Sequence, residues 1–149
     1  MAVLPKVLVV EDDDSIRALL TAALRREGLD VDAARDGLHA LRFCETCEYA
    51  VIVLDLMMPV LNGFEFLDAL TRATPAARSV IFVVTAFDDR LVKEVSSPRV
   101  HAIVRKPFDV HQLATTVREV AWAWNAAVQP SHPDAPPLLE PRESIEPPC

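Results

Sequence analysis

Carboxylate, hydroxyl and ammonium side chains stand at the ends of four separate apolar segments of this chain. The segment VLVV is followed by Glu11 and Asp12, and the segment VIVL by Asp55. A third segment, VIFVV, ends at Thr85, and Lys106 follows a fourth, VHAIV, after one residue. Carboxylates held close together repel one another unless a cation compensates their charge. A hard divalent ion such as Mg²⁺ takes oxygen ligands from a few carboxylates and a phosphate, and a lysine ammonium suits a phosphoryl oxygen. If the four segments meet, these side chains are suited to phosphoryl transfer.

The apolar segments themselves are typical of buried parallel strands. They are short, nearly continuous in apolar residues and rich in valine and isoleucine. The predicted strands cover residues 6–10, 29–34, 50–54, 80–85 and 100–104, of which 29–34 has the weakest pattern.

Between the strands, apolar residues recur at helical spacing. The clearest stripe is formed by Ile16, Leu19, Leu20, Ala23 and Leu24, in a segment that Asp14 or Ser15 can cap and that ends at Gly28. Further helices are predicted after Asp36, after Asn62-Gly63, around residues 88–96 and from Asp109. Five strands alternating with five helices predict a doubly wound α/β fold with a parallel sheet. Ligands of such sheets bind beyond the carboxyl ends of the strands, where the polar side chains named above lie.

Composition limits the function classes. A chain of 149 residues with 51% hydrophobic residues can form one ordinary core. Its net charge of -7 argues against a phosphate backbone as partner. The N-terminus has no signal-peptide pattern, and no apolar run approaches the roughly 18 residues of a membrane span, so a cytoplasmic location is expected. The proline-rich stretch from residue 128 to 149 is predicted to be a disordered tail after a single domain at 1–127.

Four sequence motifs, taken in order, carry a family resemblance. VLVVEDD, VIVLDLMMP followed by LNG, VVTA, and RKPF together resemble the receiver domain of two-component response regulators, from about residue 6 to 127. The resemblance implies a flavodoxin-like five-stranded parallel sheet of order 2-1-3-4-5. Because a chain of this length has no room for a separate output domain, a stand-alone, chemotaxis-regulator-like receiver is expected.

The resemblance assigns a role to each motif residue. Asp55 matches the phospho-acceptor, Thr85 the switch hydroxyl, and Lys106 the lysine that contacts the phosphoryl group; the Lys106-Pro107 bond is often cis in this family. The implied Mg²⁺ ligands are Glu11 (through water), Asp12, Asp55 and the backbone carbonyl of Met57. Such a domain is not an enzyme with a separate substrate, but it catalyses its own phosphorylation and dephosphorylation.

The implied partners are proteins. A histidine kinase or a histidine phosphotransfer protein would donate the phosphoryl group, and a downstream effector protein would read the phosphorylated state, with no direct nucleic-acid or membrane contact. A phosphorylation-dependent homodimer is a further expectation. The alternatives are a phosphoryl sink, a pseudo-receiver that binds partners without phosphorylation, and a phosphatase-type enzyme. Phosphatases of that type carry a second aspartate two residues after the nucleophile, where this chain has Met57.

Some residues depart from the family or admit a second interpretation. Ile103 stands where the family often has Tyr or Phe, which concerns the output surface and not the acceptor chemistry. Met57 and Phe87 are predicted to flank the approach of hydrolytic water. Cys44 and Cys47 have CxxC spacing but no second ligand pair, so they are interpreted as packing and surface residues. Asp13 is assigned to the helix start rather than to the metal.

Overall fold

The computed structural model describes residues 3–73, 78–86 and 100–128. Its five strands form one parallel sheet in the order β2-β1-β3-β4-β5, which confirms the predicted fold. The strands are β1 (Lys6–Val10), β2 (Asp30–Ala34), β3 (Val51–Asp55), β4 (Val80–Thr85) and β5 (Val100–Arg105). The predicted bounds of β1 and β4 are reproduced, and the other three differ by one residue at one or both ends.

Four of the five predicted helices lie within the described residues. They are α1 (Asp14–Arg26), α2 (Gly37–Thr46), α3 (Gly63–Ala73) and α4 (Val110–Val128), the last being the fifth helix of the sequence prediction. The predicted helix around 88–96, the side chain of Phe87 and the proline-rich tail lie outside the described residues. None of the helices in the described part of the chain combines the length and apolar character needed to span a membrane.

Aspartate side chains accept hydrogen bonds from the first turns of α1, α2 and α4. The cap of α1 is Asp13, whose Oδ1 accepts a hydrogen bond from the N–H of Ile16 at 2.9 Å. The prediction of Asp14 or Ser15 as the cap was wrong by one or two residues, whereas the assignment of Asp13 to the helix start agrees with the structure. Asp13 is the residue with extended backbone geometry, which a cap requires. Asp36 caps α2 in the same way, and Asp109 accepts from the first turn of α4.

The sheet separates two apolar layers. On one face, Val7 and Val9 pack with residues of α1 and α4; on the other, Leu8 and Val10 pack with residues of α2 and α3. This alternation follows from the two-residue period of a strand. Trp124 packs into the first layer and its indole N–H donates to the carbonyl of Arg78 at 2.9 Å. Because both faces are covered, the carboxyl edge of the sheet remains available for a polar site.

Candidate functional site

Three carboxylates meet at the carboxyl edge of β1 and β3. Because β1 and β3 are neighbours in the sheet, the residues at their ends are brought together from distant sequence positions. One ligand oxygen from each of Glu11, Asp12 and Asp55 lies within 4.8 Å of the others. Glu11 is 1% exposed and Asp55 3% exposed, whereas Asp12 is open to solvent. The predicted convergence of the acidic residues is therefore present.

The Asp55 carboxylate is held from two sides. Its Oδ1 accepts a hydrogen bond from the backbone N–H of Met57 at 3.0 Å, and its Oδ2 lies 3.3 Å from Nζ of Lys106. The chain turns tightly behind it, because a Cβ on Gly63 would stand 2.7 Å from the carbonyl oxygen of Asp55. Glycine at position 63 is thus required for α3 to start so close to the acceptor strand.

Lys106 contacts both buried carboxylates. Its Nζ lies 3.1 and 3.2 Å from the two oxygens of Glu11, slightly nearer than to Asp55. Its backbone N–H donates to the carbonyl of Thr85 at 2.9 Å, which ties the loop after β5 to the end of β4. Thr85 itself is fully buried, and the Lys106-Pro107 peptide bond is cis, as the resemblance implied.

The crowding of charge shifts the proton affinities of the site. Burial and the negative charge of Asp55 raise the pKa of Glu11 to about 7, although Lys106 opposes the shift. Burial likewise raises the pKa of Asp55, against the hydrogen bond from Met57 and the charge of Lys106. Burial lowers the pKa of Lys106, but its contacts with Glu11 and Asp55 outweigh that effect and raise it above the usual value. Burial thus disfavours the charged forms of both carboxyl groups, which share one ammonium group.

The donor set fits a hard divalent cation. All three donors are carboxylate oxygens, which Mg²⁺ prefers, and one of them faces water, which Mg²⁺ retains in its coordination shell. Among the described residues, this is the one group of three or more His, Cys, Asp or Glu side chains that could hold a metal ion. Asp13 is not part of it, because its carboxylate caps α1. The side chain of Met57 is 53% exposed, so its backbone rather than its side chain is fixed at the site.

Cys44, the first residue of the CxxC segment, is a partly buried thiol whose surroundings disfavour redox or metal chemistry. Cys44 is a free thiol, so it is not joined to Cys47. Burial raises the pKa of the Cys44 thiol to about 11, which disfavours the thiolate that such chemistry needs. Cys44 packs against the apolar layer of α2 and α3, as the sequence interpretation had it.

Sequence reasoning missed two residues near the site. The guanidinium of Arg17 donates to the carbonyl of Glu11 at 3.0 Å; the only sequence signal is an arginine one helical turn after the cap Asp13. Val60, in the loop after Asp55, has a φ of 71°, a left-handed conformation that a β-branched residue rarely adopts. Ile103 lies on β5 and is partly exposed.

Comparison with known proteins places these features in one family. Residues 7–118 match the family described as response regulator receiver domain. The alkaline phosphatase synthesis transcriptional regulatory protein PhoP of Bacillus subtilis is 34% identical over 116 residues, covering 77% of this chain and 48% of PhoP. The sensor kinase CckA of Brucella abortus is also 34% identical over 116 residues, covering 76% of this chain and 12% of CckA. The chain thus spans about half or less of the length of these curated relatives.

Solved structures agree with the family match. The chemotaxis protein CheY4 of Vibrio cholerae is 30% identical, with a TM-score of 0.71, and the match covers 79% of this chain and 99% of CheY4. The response regulator protein TrrA of Thermotoga maritima, solved in complex with Mg²⁺-BeF, is 28% identical, with a TM-score of 0.68 and coverage of 78% of this chain and 99% of TrrA. The four motifs, the sheet order and the acidic edge all agree with these matches, and the chain belongs to the response regulator receiver domain family.

Proposed function

We propose that this receiver domain accepts a phosphoryl group onto Asp55 in a Mg²⁺-dependent reaction. The observation that carries the proposal is the pairing of a buried Asp55 carboxylate with Lys106 at 3.3 Å, beside two further carboxylates. A nucleophilic carboxylate needs a fixed orientation, and the N–H of Met57 supplies it by holding Oδ1. The donor is the phosphohistidine of a histidine kinase or of a histidine phosphotransfer protein.

In this reaction an Asp55 oxygen attacks the phosphorus atom. The new O–P bond forms as the P–N bond to the donor histidine breaks, and the histidine nitrogen keeps the electron pair. Lys106 neutralises charge on a phosphoryl oxygen, for which its ammonium is already next to the acceptor oxygen. The hydroxyl of Thr85, at the end of the neighbouring strand, binds another phosphoryl oxygen once the group is transferred.

The metal would be held by the carboxylates of Glu11, Asp12 and Asp55 and the carbonyl of Met57. Asp12 would be a direct ligand, and Glu11 would act through water. When bound, the ion neutralises phosphoryl charge and orients the group for in-line transfer. The convergence of the three carboxylates supports this assignment, because one lysine cannot balance all of their charges.

The output is phosphorylation-controlled protein binding or transfer of the phosphoryl group along a relay, in the cytoplasm. A phosphoryl sink would use the same site without an effector. The complete acidic set with Lys106 disfavours a pseudo-receiver, and Met57 in place of a second aspartate disfavours a phosphatase-type enzyme.

The test uses a small phosphodonor. The protein is incubated with acetyl phosphate, with Mg²⁺ or with a chelator, and the product is analysed by mass spectrometry for one hydroxylamine-labile phosphoryl group. We expect it on Asp55 in the wild type with Mg²⁺, and in neither the chelator sample nor Asp55→Asn. Asp68→Asn, which removes an exposed carboxylate from α3, is the matched control and should be labelled normally. Full labelling of Asp55→Asn would refute the assignment.

A further inference from the structure

We propose that Arg17 is a positioning residue for the loop that presents Glu11 and Asp12 to the metal. The inference rests on the proposed function, because it concerns Mg²⁺ binding at the same acidic edge. It adds a residue that makes no contact with the carboxylate oxygens of Glu11, Asp12 or Asp55.

The contacts of Arg17 reach across the turn between β1 and α1. Its Nη1 donates to the carbonyl oxygen of Glu11 at 3.0 Å and lies 3.4 Å from that of Asp12. Its Nη2 pairs with the carboxylate of Asp14. One guanidinium group therefore contacts three of the four consecutive acidic residues at positions 11–14.

These contacts fix backbone atoms. The carbonyls of Glu11 and Asp12 lie between the last residue of β1 and the cap of α1. Here the backbone leaves the hydrogen bonds of the sheet and has not yet entered those of the helix. Holding both carbonyls sets the direction of the two side chains that leave the same residues. Arginine suits this task, since its planar fork carries several donors in fixed geometry, whereas a lysine ammonium is a single point.

A plain surface ion pair does not explain the arrangement. The Asp14 side chain is largely exposed, and such a pair contributes little stability. The Arg17 side chain, in contrast, is mostly covered, and its contact with the carbonyl of Glu11 is partly buried. If Arg17 only formed an ion pair with Asp14, removing the Asp14 charge would change Mg²⁺ binding as much as replacing Arg17 does.

If Arg17 is replaced, the loss of its charge and the loss of its positioning role should change the Mg²⁺ affinity in opposite directions. Arg17 carries a positive charge near the site, so removing that charge alone would strengthen binding of a cation. Loss of positioning would weaken it, as happens when residues that orient metal ligands are replaced, by about tenfold. The direction of the change therefore separates the two roles.

The experiment is a Mg²⁺ titration of the full chain by isothermal calorimetry. We expect Arg17→Gln to bind Mg²⁺ about tenfold more weakly than the wild type. Arg17→Lys, which keeps the charge but loses the fork, should also bind more weakly. Asp14→Asn, and Arg118→Gln, which breaks the pair between α4 and Glu27, should bind as the wild type does. Circular dichroism and urea unfolding of each variant verify the fold, and Arg17→Lys is the variant expected to fold most securely.

The outcomes distinguish this inference from the proposed function. If the wild type does not bind Mg²⁺, the proposed function itself fails. If the wild type binds and both Arg17 variants bind equally well or more tightly, the positioning role is refuted and the metal site stands. A loss in Asp14→Asn as large as in Arg17→Gln would also refute it, because the ion pair would then be sufficient.

Discussion

The proton affinity of Glu11 predicts an unusual pH dependence of stability. Its pKa rises from 4.5 to about 7 on folding. A carboxyl group whose folded pKa lies above its unfolded pKa stabilises the fold while it is protonated, and this contribution disappears as the pH rises through 7. In the presence of a chelator, the Glu11 contribution at about pH 5.5 should exceed that at about pH 8 by about 2 kcal/mol of unfolding free energy. Asp55, whose pKa is also raised, adds in the same direction.

Urea unfolding at the two pH values measures this difference. The variant Glu11→Gln keeps the shape and the polar contact with Lys106 but cannot titrate. When the pH falls from about 8 to about 5.5, the wild type should gain about 2 kcal/mol more unfolding free energy than Glu11→Gln does. Subtracting the variant removes the contributions of the other titrating groups, and Asp68→Asn should behave as the wild type. Identical pH dependence in wild type and Glu11→Gln would refute the reasoning.

Mg²⁺ provides a second arm of the same experiment. A ligand that binds the folded state stabilises it, and the ion requires ionised carboxylates. Saturating Mg²⁺ should therefore stabilise the wild type more at about pH 8 than at about pH 5.5. Equal stabilisation at both pH values would mean that Glu11 holds no proton that competes with the metal.

Three further predictions concern single residues. Asp12→Ala should weaken Mg²⁺ binding in a calorimetric titration far more than Asp14→Ala, because Asp12 belongs to the carboxylate cluster; equal losses would contradict its role as a ligand. Val60→Gly should raise the unfolding free energy by about 1 kcal/mol in urea, since Val60 is 77% exposed and has a φ of 71°; Val60→Ala should gain less, and no gain with glycine would show that the backbone is unstrained. Met57→Asn should accelerate loss of the phosphoryl group in a single-turnover assay, because an amide can orient the attacking water and an exposed thioether cannot; an unchanged rate would remove Met57 from control of the lifetime.

Most of the fold could be predicted because parallel strands buried on both faces are nearly continuous apolar runs. The errors lie at the ends. β3 extends to Asp55 and β5 to Arg105, because the backbone ladder continues through residues whose side chains are polar. The predicted cap of α1 was misplaced because three consecutive aspartates and a serine offer equivalent acceptors. Only backbone geometry selects Asp13.

The convergence of the acidic residues could be predicted from the sequence, but their contacts with Lys106 could not. Strand order alone brings Glu11, Asp12 and Asp55 to one edge, so the acidic cluster follows from the sequence pattern. The nearer approach of Lys106 to Glu11 than to Asp55 depends on the path of the loop after β5, for which the sequence has no signal. The left-handed conformation of Val60 was equally hidden, since a valine there predicts the opposite backbone region.

Charge balance connects the proton, the metal and the phosphoryl group at this site. With all groups ionised, three carboxylates, two of them buried, oppose one lysine, which leaves an excess of negative charge. The site can reduce that excess by keeping a proton on Glu11 or by binding a divalent cation, and the two compete because both act on the same carboxylates. A phosphoryl group on Asp55 replaces the aspartate charge with a larger one, which increases the excess that a divalent cation would reduce. This charge balance supports the proposal that phosphorylation of Asp55 depends on a bound divalent cation, and the comparison of Mg²⁺ with a chelator tests it.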